Sequence, residues 1–554
     1  MRRSKSHNEK ILYYLIRNDR RSKSSINEGY LIFYAFLYKY LSDKLKKHLL
    51  YQLGGDGDDL KFFYQSDASE IREMALRDLG YFFERYDAYL DQFVADKFAD
   101  DILNPEFVSL LKDNIVFSKD NPCEEYFNTI METVENQTKF YRMSYDHEQE
   151  LIISNSLLSI AKLDIDEEEF SFKRVYDLVA SSRHTRLLSP TPEYIAILLE
   201  RIISSKKDFA EKVYDPFFKD SANLINVSKS LNSSIYGKES NDLYYFYSLI
   251  KAFIHECDFG RVFLRHENAI NSMAFDDELF DVIVSKIPND YRYSRGMHSK
   301  QNLEAPNPNK KDIKEQVISK YDLSELGDDE ELLNALSILE RKVEAVEKSN
   351  IVNFQGEYES LIDSEFLFVI NMINSLKEDG LMAISVSQNF LFKNSLATLR
   401  KFLTHENNYI DTIISLPEKL AGPIRPEVII VFSKNRKADD VLFINVSDED
   451  NTKPSKNAIP GRLRRNLVLD DSTLDKIVDV FTNRRTIDKF SKLIRLKELS
   501  KNDFNLTVSR YVDTYQGTFI RLEDLKSDKQ EIDKNLDNLT KKIDMMMDEL
   551  DINL

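Results

Sequence analysis

Short apolar segments alternate with helical segments between about residues 170 and 450, and this alternation restricts the fold more than any other feature. Stretches such as PEYIAILLERIIS and FLFVINMINSLKED have the spacing of helices. Strands that are connected through helices usually pair in parallel and are covered on both faces. Strands are predicted at 212–218, 234–240, 261–268, 280–285, 381–387, 411–417, 427–434 and 441–446. The sequence therefore predicts a doubly wound α/β sheet, mixed where its later strands pair antiparallel.

The rest of the chain has helical patterns. Residues 29–50 are apolar almost all round, and residues 79–103 carry aromatic side chains at helical spacing. An acidic run near residue 165 marks a boundary. We predict an N-terminal helical domain, an α/β domain with a long insertion, and a helical C-terminal region, which span residues 1–165, 166–455 with the insertion at 290–357, and 456–554.

The C-terminal tail at 532–550 has a heptad pattern. Apolar residues recur there at alternating steps of four and three, namely Ile532, Leu536, Leu539, Ile543, Met546 and Leu550. A seam of this kind requires a partner helix from the same chain or from another one.

Composition limits the class of protein. A chain of 554 residues with 31% charged and 42% hydrophobic residues is expected to be globular, with two or three domains. We expect no membrane span and no secretory signal, and the two cysteines, Cys123 and Cys257, fit a reducing cytoplasm. A net charge of −18 argues against coating nucleic acid unaided, but it allows a DNA-handling subunit with locally clustered basic residues.

Candidate site residues lie where the predicted strands end. An open α/β sheet binds its ligand at the carboxyl ends of its strands, near the point where the strand order reverses. The segment VYDPFFKDSANL at 213–224 follows the first strand, and IYGKES at 235–240 supplies an acidic residue for a ribose hydroxyl. The strand FDVIVS is followed by Lys286, Ile287, Pro288 and Asn289.

These segments occur in an order that resembles the methylase (M) subunits of type I restriction-modification systems. That family comprises adenine-N6 DNA methyltransferases, which use S-adenosylmethionine. YLIFYAFLYKYLSDKL resembles the helix that opens the family's N-terminal domain. Pro190-Thr191-Pro192 occupies the position of the family's Phe/Tyr-Thr-Pro motif. VYDPFFKDSANL is similar to its Asp-Pro-x-Cys-Gly-Ser-Gly loop, and FDVIVSKIPND to its Asn-Pro-Pro-Phe site. The resemblance covers nearly the whole chain and implies a Rossmann-like methyltransferase fold.

The resemblance also implies roles for individual residues and partners. It places cofactor binding at Thr191, Asp215, Pro216, Glu239 and Asn268, and the catalytic motif at residues 286–289. The implied partners are DNA, a specificity subunit and a restriction subunit in a hetero-oligomer. No metal is expected, because His255 and Cys257, with one other cysteine in the chain, do not make a ligand set.

The cofactor loop departs from the family pattern. Lys219 and Ser221 replace its glycines, and Phe217 and Phe218 precede them. Glycine is used in such a loop because it adopts positive φ and lets the backbone approach the ligand closely. The retained Asp215 and Glu239 can still hold a nucleoside; the other interpretation is an Asp-Pro turn without a ligand.

The catalytic motif departs further. By the resemblance, the family's Asn and first Pro accept hydrogen bonds from the adenine amino group, and its aromatic residue stacks on the flipped base. Here Lys286 has three donors and no acceptor, and Asn289 has no aromatic face. A register that makes Asn289 the acceptor moves it about 10 Å further from the strand.

Three functions follow from these observations. The first is a catalytically degenerate M-like subunit that clamps DNA or supports assembly. The second is an active adenine-N6 methyltransferase with diverged motifs, and the third is a scaffold or inhibitor that mimics an M subunit. The basic clusters at 461–466 and 483–492 fit either phosphate contacts or a solvated face.

Overall fold

The structure is a computed structural model, and it describes residues 6–19, 26–55, 57–66, 69–95, 106–141, 147–180, 191–267, 269, 275, 278–287, 364–417, 420, 427–446, 452–454, 467–513 and 522–549. The predicted insertion at 290–357 lies outside these residues, as do Pro288, Asn289, Asn268 and the basic cluster at 461–466. Across the part of the chain that is described, no helix has both the length and the apolar character needed to cross a membrane.

The first part of the chain is mainly helical, as predicted. Its helices are α1 (His7–Asp19), α2 (Ile26–Leu53), α3 (Gly57–Ser66), α4 (Ser69–Asp78), α5 (Leu90–Ala95), α6 (Glu106–Asn114), α7 (Cys123–Tyr141), α8 (His147–Ala161) and α9 (Phe172–Ala180). Helix α2 is buried on every side from residue 28 to residue 42. A helix that is apolar all round must be enclosed by others, which explains its central place in this part of the chain.

The aromatic spacing of residues 79–103 predicts a continuous helix, and this prediction is wrong at residues 80–83; α5 at 90–95 is helical, and residues 96–103 lie outside the described residues. Gly80 has φ of +81° and ends α4, because a left-handed residue cannot continue a right-handed helix. The next residues form β1 (Tyr81–Phe83), which pairs antiparallel with β2 (Ile115–Phe117). The aromatic side chains of β1 are buried in the core, so burial rather than a helical period accounts for their spacing.

All eight predicted strands are present. The strands after β2 are β3 (Lys212–Asp215), β4 (Ser234–Glu239), β5 (Val262–His266), β6 (Phe280–Lys286), β7 (Leu376–Ser387), β8 (Ile410–Ser415), β9 (Glu427–Ser433), β10 (Asp440–Asn445), β11 (Thr452–Pro454), β12 (Leu467–Leu469) and β13 (Ser491–Arg495). Within the described residues nine of them form one sheet, in the order β13-β10-β8-β9-β7-β6-β3-β4-β5. The strands from β7 to β5 in this order run parallel, whereas β9 pairs antiparallel with both β7 and β8. The predicted mixed α/β sheet is confirmed.

Helices cover both faces of the sheet. The remaining helices are α10 (Glu193–Ser204), α11 (Ala222–Leu231), α12 (Asp242–Ile254), α13 (Ser364–Asn374), α14 (Ala397–Lys401), α15 (Asp471–Asn483), α16 (Leu496–Lys501) and α17 (Leu522–Glu549). Along β6, Val282 and Val284 belong to the core on one face, and Ile283 belongs to the core on the other. A strand that is buried on both faces needs apolar residues at successive positions, which is why this segment appears as a continuous apolar run.

Aromatic contacts join the helical first part to the sheet. The ring centroids of Tyr30 and Phe246 lie 4.9 Å apart, and those of Phe33 and Tyr247 lie 5.0 Å apart. Tyr176 of α9 stacks on Tyr247 at 4.7 Å. Each edge-to-face or stacked pair of this kind contributes beyond the area that it buries. Helix α12, which follows β4, is therefore shared between the two parts.

The strand order places the carboxyl ends of β3 and β6 side by side. From β3 the chain builds outward through β4 to β5, and it then returns to place β6 on the other side of β3. This reversal creates the crevice in which α/β sheets bind ligands. Asp215 ends β3 and Lys286 ends β6, so the two candidate segments of the sequence meet there.

We expect Gly237→Ala to lower the free energy of unfolding by about 1–3 kcal/mol, because overpacking a filled core forces neighbouring side chains to shift. A Cβ at this position in β4 would lie 2.5 Å from Cδ1 of Phe218 and 3.0 Å from side-chain atoms of Leu224 and Leu264. Urea denaturation followed by circular dichroism measures the loss.

The matched control is Gly29→Ala in α2, where the new Cβ would meet nothing closer than 3.6 Å. Removing a glycine from a helix leaves stability unchanged or raises it by up to roughly 1 kcal/mol. Equal losses in the two variants would contradict the packing of Phe218 over Gly237.

Candidate functional site

Asp215 ends β3 and is fully buried. Its Oδ1 accepts a hydrogen bond from the backbone N–H of Phe217 at 2.9 Å, which fixes the Asp-Pro turn. Burial raises the pKa of Asp215 to about 7, while Ser285, the Phe217 N–H and Asn223 act in the opposite direction. Its Oδ2 has no partner with strict hydrogen-bond geometry among the described residues, although the Ser285 and Asn223 side chains lie near enough to lower the pKa. The carboxyl group is therefore enclosed by polar side chains at the ends of β3 and β6.

The loop after Asp215 keeps a left-handed backbone without glycine. Lys219 has φ of 48° and Ser221 has φ of 53°, values that cost a residue with a Cβ on the order of 1–2 kcal/mol. Hydrogen bonds hold the loop in place: the Ser221 N–H donates to the Phe218 carbonyl at 2.6 Å, and Ser248 Oγ donates to the Lys219 carbonyl at 2.7 Å. The surrounding structure thus imposes the turn that glycine would adopt freely.

Glu239 ends β4 beside this loop. Its Oε2 accepts from the Lys219 N–H at 3.1 Å, and its Oε1 accepts from the Asn241 N–H at 2.8 Å. Burial raises the pKa of Glu239, against the effect of these backbone N–H groups and of the Lys219 ammonium. Two carboxylate oxygens offer about four acceptor positions, so acceptor capacity remains for a further donor.

Phe217 and Phe218 pack to opposite sides of the sheet. The ring of Phe218 lies over Gly237 and joins the core on the face of α11 and α12. Phe217 belongs to the other core, where its ring meets Phe368 edge-on at a centroid distance of 4.2 Å. Both aromatic side chains are therefore used in packing.

Lys286, at the end of β6, forms an ion pair with Glu427, the first residue of β9. The Lys286 side chain is 12% exposed and that of Glu427 is 4% exposed, so the pair is buried. Ser385 of β7, which lies between the two strands, donates from Oγ to Glu427 Oε2 at 3.0 Å. Burial lowers the pKa of Lys286 to about 7; Lys219 adds to this effect and Asp220 opposes it. Contact with the Glu427 carboxylate favours the protonated amine, so the pair consists of an ammonium and a carboxylate and has no net charge.

Ile287 continues β6 by one residue. Its N–H donates to the Ser385 carbonyl at 3.0 Å, and its side chain is buried. The family pattern has proline at this position, and proline has no N–H with which to make this bond. Of the predicted tetrapeptide, Lys286 and Ile287 thus lie at the carboxyl end of β6, with Ile287 packed in the core, whereas Pro288 and Asn289 lie outside the described residues.

The remaining predicted positions contribute less. Thr191 is buried just before α10, and Pro216 is buried in the turn after Asp215, whereas Asn268 is not described. His255 caps the end of α12, with Nε2 3.8 Å from Asp177, and burial lowers its pKa to about 3. Within the described residues, no group of three or more His, Cys, Asp or Glu side chains is arranged to hold a metal ion.

The two arginines of the basic cluster at 483–492 pair with acidic residues. Arg484 pairs with Asp411 at 2.6 Å and with Asp440 at 2.5 Å, and Arg485 pairs with Asp479. The pairs of Arg484 tie the end of α15 to β8 and β10, which gives this arginine a structural role, whereas Lys489 and Lys492 are exposed.

Sequence reasoning missed Glu427 and Ser385. The available signal was an acidic residue opening the otherwise apolar strand EVIIVFS, since a buried charge normally requires a partner. Its partner was hidden because β9 is separated from β6 by β7, and the sequence does not specify that order.

Comparisons with known proteins agree on one family. Residues 190–318 and 347–518 match the sequence profile of the family described as N-6 DNA Methylase. The methylase subunit of the type I restriction enzyme MpnII of Mycoplasma pneumoniae is 24% identical over 346 residues, which are 58% of this chain and 52% of that protein. The MjaVII methylase subunit of Methanocaldococcus jannaschii is 39% identical over 111 residues, 19% of this chain and 18% of that protein. The chain therefore matches about half the length of the first relative and under a fifth of the second.

A solved structure has the same fold. The methyltransferase subunit of a type I restriction-modification system from Streptococcus thermophilus superposes with a TM-score of 0.64. The superposition covers 91% of this chain and 98% of that one, at 20% sequence identity. At this identity the likeness establishes the architecture, and it extends over the helical first part as well as the sheet.

The raised pKa of Asp215 makes stability depend on pH. The folded state holds the proton more tightly than an unfolded chain, in which the pKa of aspartate is about 3.9. The resulting stabilisation is complete below that value and is lost as the pH rises through about 7. We expect the unfolding free energy of the native chain, relative to Asp215→Asn, to fall by roughly 2 kcal/mol between about pH 5.5 and pH 8.5.

Urea denaturation at fixed pH values measures this difference. Asparagine keeps an oxygen that accepts from the Phe217 N–H, so the variant removes the titration and retains the turn. Asp208→Asn, at an exposed position, serves as the control and should leave the pH profile of the native chain unchanged. Parallel profiles for the native chain and Asp215→Asn would show that Asp215 does not titrate in this range.

Proposed function

This chain belongs to the N-6 DNA methylase family, and from that premise we propose that it is a methylase-like subunit of a type I restriction-modification assembly that does not itself transfer methyl groups. In this proposal it contributes to clamping DNA and to assembly with a specificity subunit. One observation carries the proposal: the buried ion pair between Lys286 and Glu427 stands where the resemblance places the residue that accepts the adenine amino group.

The ion pair opposes the family reaction in two ways. An adenine amino group donates hydrogen bonds, and a lysine ammonium also only donates, so Lys286 cannot replace an asparagine oxygen. Glu427, the carboxylate in contact with it, already binds Lys286 through Oε1 and Ser385 through Oε2. Opening the pair to admit a flipped base would leave buried charges unpaired, which costs roughly 3–5 kcal/mol.

The cofactor that the family implies, S-adenosylmethionine, fits this site only in part. The nucleoside portion fits: Asp215 and Glu239 retain acceptor positions at the ends of neighbouring strands. The methyl-donor portion does not fit, because the Lys219 ammonium stands in the loop where the family pattern has glycine, and like charge repels a sulfonium. We therefore assign no methyl transfer to this chain.

The role in assembly is supported by helix α17. Its seam residues are exposed, with relative exposures of 60% for Ile532, 61% for Leu536, 60% for Leu539 and 53% for Ile543. Met546 and Leu550 of the predicted seam lie outside the residues whose side chains are described. An apolar heptad seam in water requires a partner helix, and by family resemblance that helix belongs to a specificity subunit.

The proposal is tested by measuring transfer of labelled methyl groups from S-adenosylmethionine to DNA. The full chain is combined with a specificity subunit, and an M subunit that carries Asn-Pro-Pro-Phe is measured with the same partner. We expect methyl incorporation for the second protein only. Incorporation that depends on this chain and disappears in Asp215→Asn would instead establish the active methyltransferase.

The seam is tested by Leu536→Gln combined with Leu539→Gln. Both side chains are mostly exposed, so the fold should be unchanged, whereas affinity for the specificity subunit should fall at least about tenfold because interface leucines lose their burial. Lys534→Gln combined with Lys541→Gln, on the opposite side of the helix, is the matched control and should bind normally.

Size-exclusion chromatography and titration calorimetry measure the complex. Equal affinity of the two double variants would remove α17 from the interface. Competition with an intact M subunit for the specificity subunit, without any larger assembly on DNA, would favour the scaffold or inhibitor function instead.

A further inference from the structure

Unsatisfied polar atoms concentrate around the loop between β3 and α11. Ten buried side-chain polar atoms among the described residues lack a partner with strict hydrogen-bond geometry, and five of these ten belong to this site: Asp215 Oδ2, Asp220 Oδ1, Ser221 Oγ, Asn223 Oδ1 and Ser285 Oγ. Ser285 and Asn223 lie near enough to Asp215 to lower its pKa, but none of the five atoms has a fully formed bond. Native structures satisfy nearly all such groups, so a local concentration indicates a polar ligand. Three of the five atoms only accept hydrogen bonds, which suits the hydroxyl and amino groups of a nucleoside.

The loop itself presents these atoms at the start of α11. Ser221 precedes the helix with a left-handed backbone, and its hydroxyl does not cap the helix. Ser221 and Asn223 are each only 2% exposed, so neither polar atom is satisfied by bulk water. A site built in this way binds through the loop and the strand ends together, as expected at the reversal of an open α/β sheet.

Lysine side chains lie beside several of the buried carboxylates at this site and offset their negative charge. Lys286 pairs with Glu427, and Lys251 lies 3.1 Å from Asp177 and 3.9 Å from Asp220. Lys219 is half-buried in the loop; burial lowers its pKa, and the carboxylates of Asp220, Glu239 and Asp215 oppose this by favouring the ammonium. The carboxylates that would attract a cationic sulfur therefore already have cationic neighbours. Lys219 is the additional charge relative to the glycine of the family pattern.

We propose that this site binds an adenosine thioether, whose sulfur is uncharged, in preference to the methylated sulfonium. The nucleoside hydroxyls would be held by Asp215 and Glu239, and Lys219 would exclude the positive charge. The inference rests on the proposed function in placing the nucleoside site at the ends of β3 and β4.

Titration calorimetry on the full chain tests the proposal with three ligands. S-adenosylhomocysteine has a neutral sulfur, S-adenosylmethionine has a sulfonium, and sinefungin has an ammonium in place of the sulfonium. We expect S-adenosylhomocysteine to bind at least about tenfold more tightly than either cationic ligand. A repulsion between two like charges in partly buried surroundings changes affinity by about this factor. Two cationic ligands of different shape separate the effect of charge from that of the extra methyl group.

Lys219→Gln removes the charge and keeps much of the side-chain length. We expect this variant to bind the two cationic ligands more tightly and S-adenosylhomocysteine unchanged, so that the preference disappears. The matched control is Lys489→Gln: Lys489 also has a left-handed backbone, with φ of 58°, and is exposed beside β13. It lies six strands from β3, roughly 30 Å away, and the variant should keep the preference of the native chain.

Several outcomes would overturn the inference. Tighter binding of S-adenosylmethionine than of S-adenosylhomocysteine, or no binding of any of the three, would do so directly. Weak binding of S-adenosylmethionine alone, with sinefungin equal to the thioether, would show steric exclusion of the methyl group instead. These measurements are independent of methyl transfer: the preference can fail while the chain remains inactive, and activity on DNA would refute the proposed function whatever the preference.

Discussion

The buried ion pair between Lys286 and Glu427 connects the ligand side of the sheet to its antiparallel half. It joins β6 to β9 across β7, and Ser385 on β7 donates a hydrogen bond to the Glu427 carboxylate. Neither partner can be changed alone without leaving a buried charge, which costs several kcal/mol. A change of Lys286 alone to asparagine would therefore leave the buried Glu427 carboxylate without its cationic partner.

The loop between β3 and α11 has a left-handed backbone at Lys219 and Ser221, although it lacks the glycines that usually adopt this conformation. Lys219 and Ser221 adopt left-handed φ values because Glu239, Ser248 and the Phe218 carbonyl bind the loop from several directions. A strain of roughly 1–3 kcal/mol per residue is tolerated when the surroundings determine the conformation. The loss of glycine thus changes the side chains and charges presented to a ligand, and it leaves the path of the chain intact.

The sequence was sufficient to predict the strands of the sheet, because buried parallel strands need apolar residues at every position. It was also sufficient to locate Asp215, Glu239 and Lys286 at strand ends. It misplaced residues 81–83, where burial of aromatic side chains in β1 imitates a helical period. It did not identify Glu427, because pairing across β7 depends on strand order, which is a property of the whole fold. Asp215 was predicted to hold a ligand, but the shift in its pKa arises from burial that only the folded structure defines.

The two departures from the family pattern act on one electrostatic site. Lys219 and Lys286 influence one another's surroundings, since the charge of Lys219 lowers the pKa of Lys286. A lysine at either position alone would oppose one step, either holding a sulfonium or accepting an amino group. In the function proposed above, the two lysines together therefore oppose both steps.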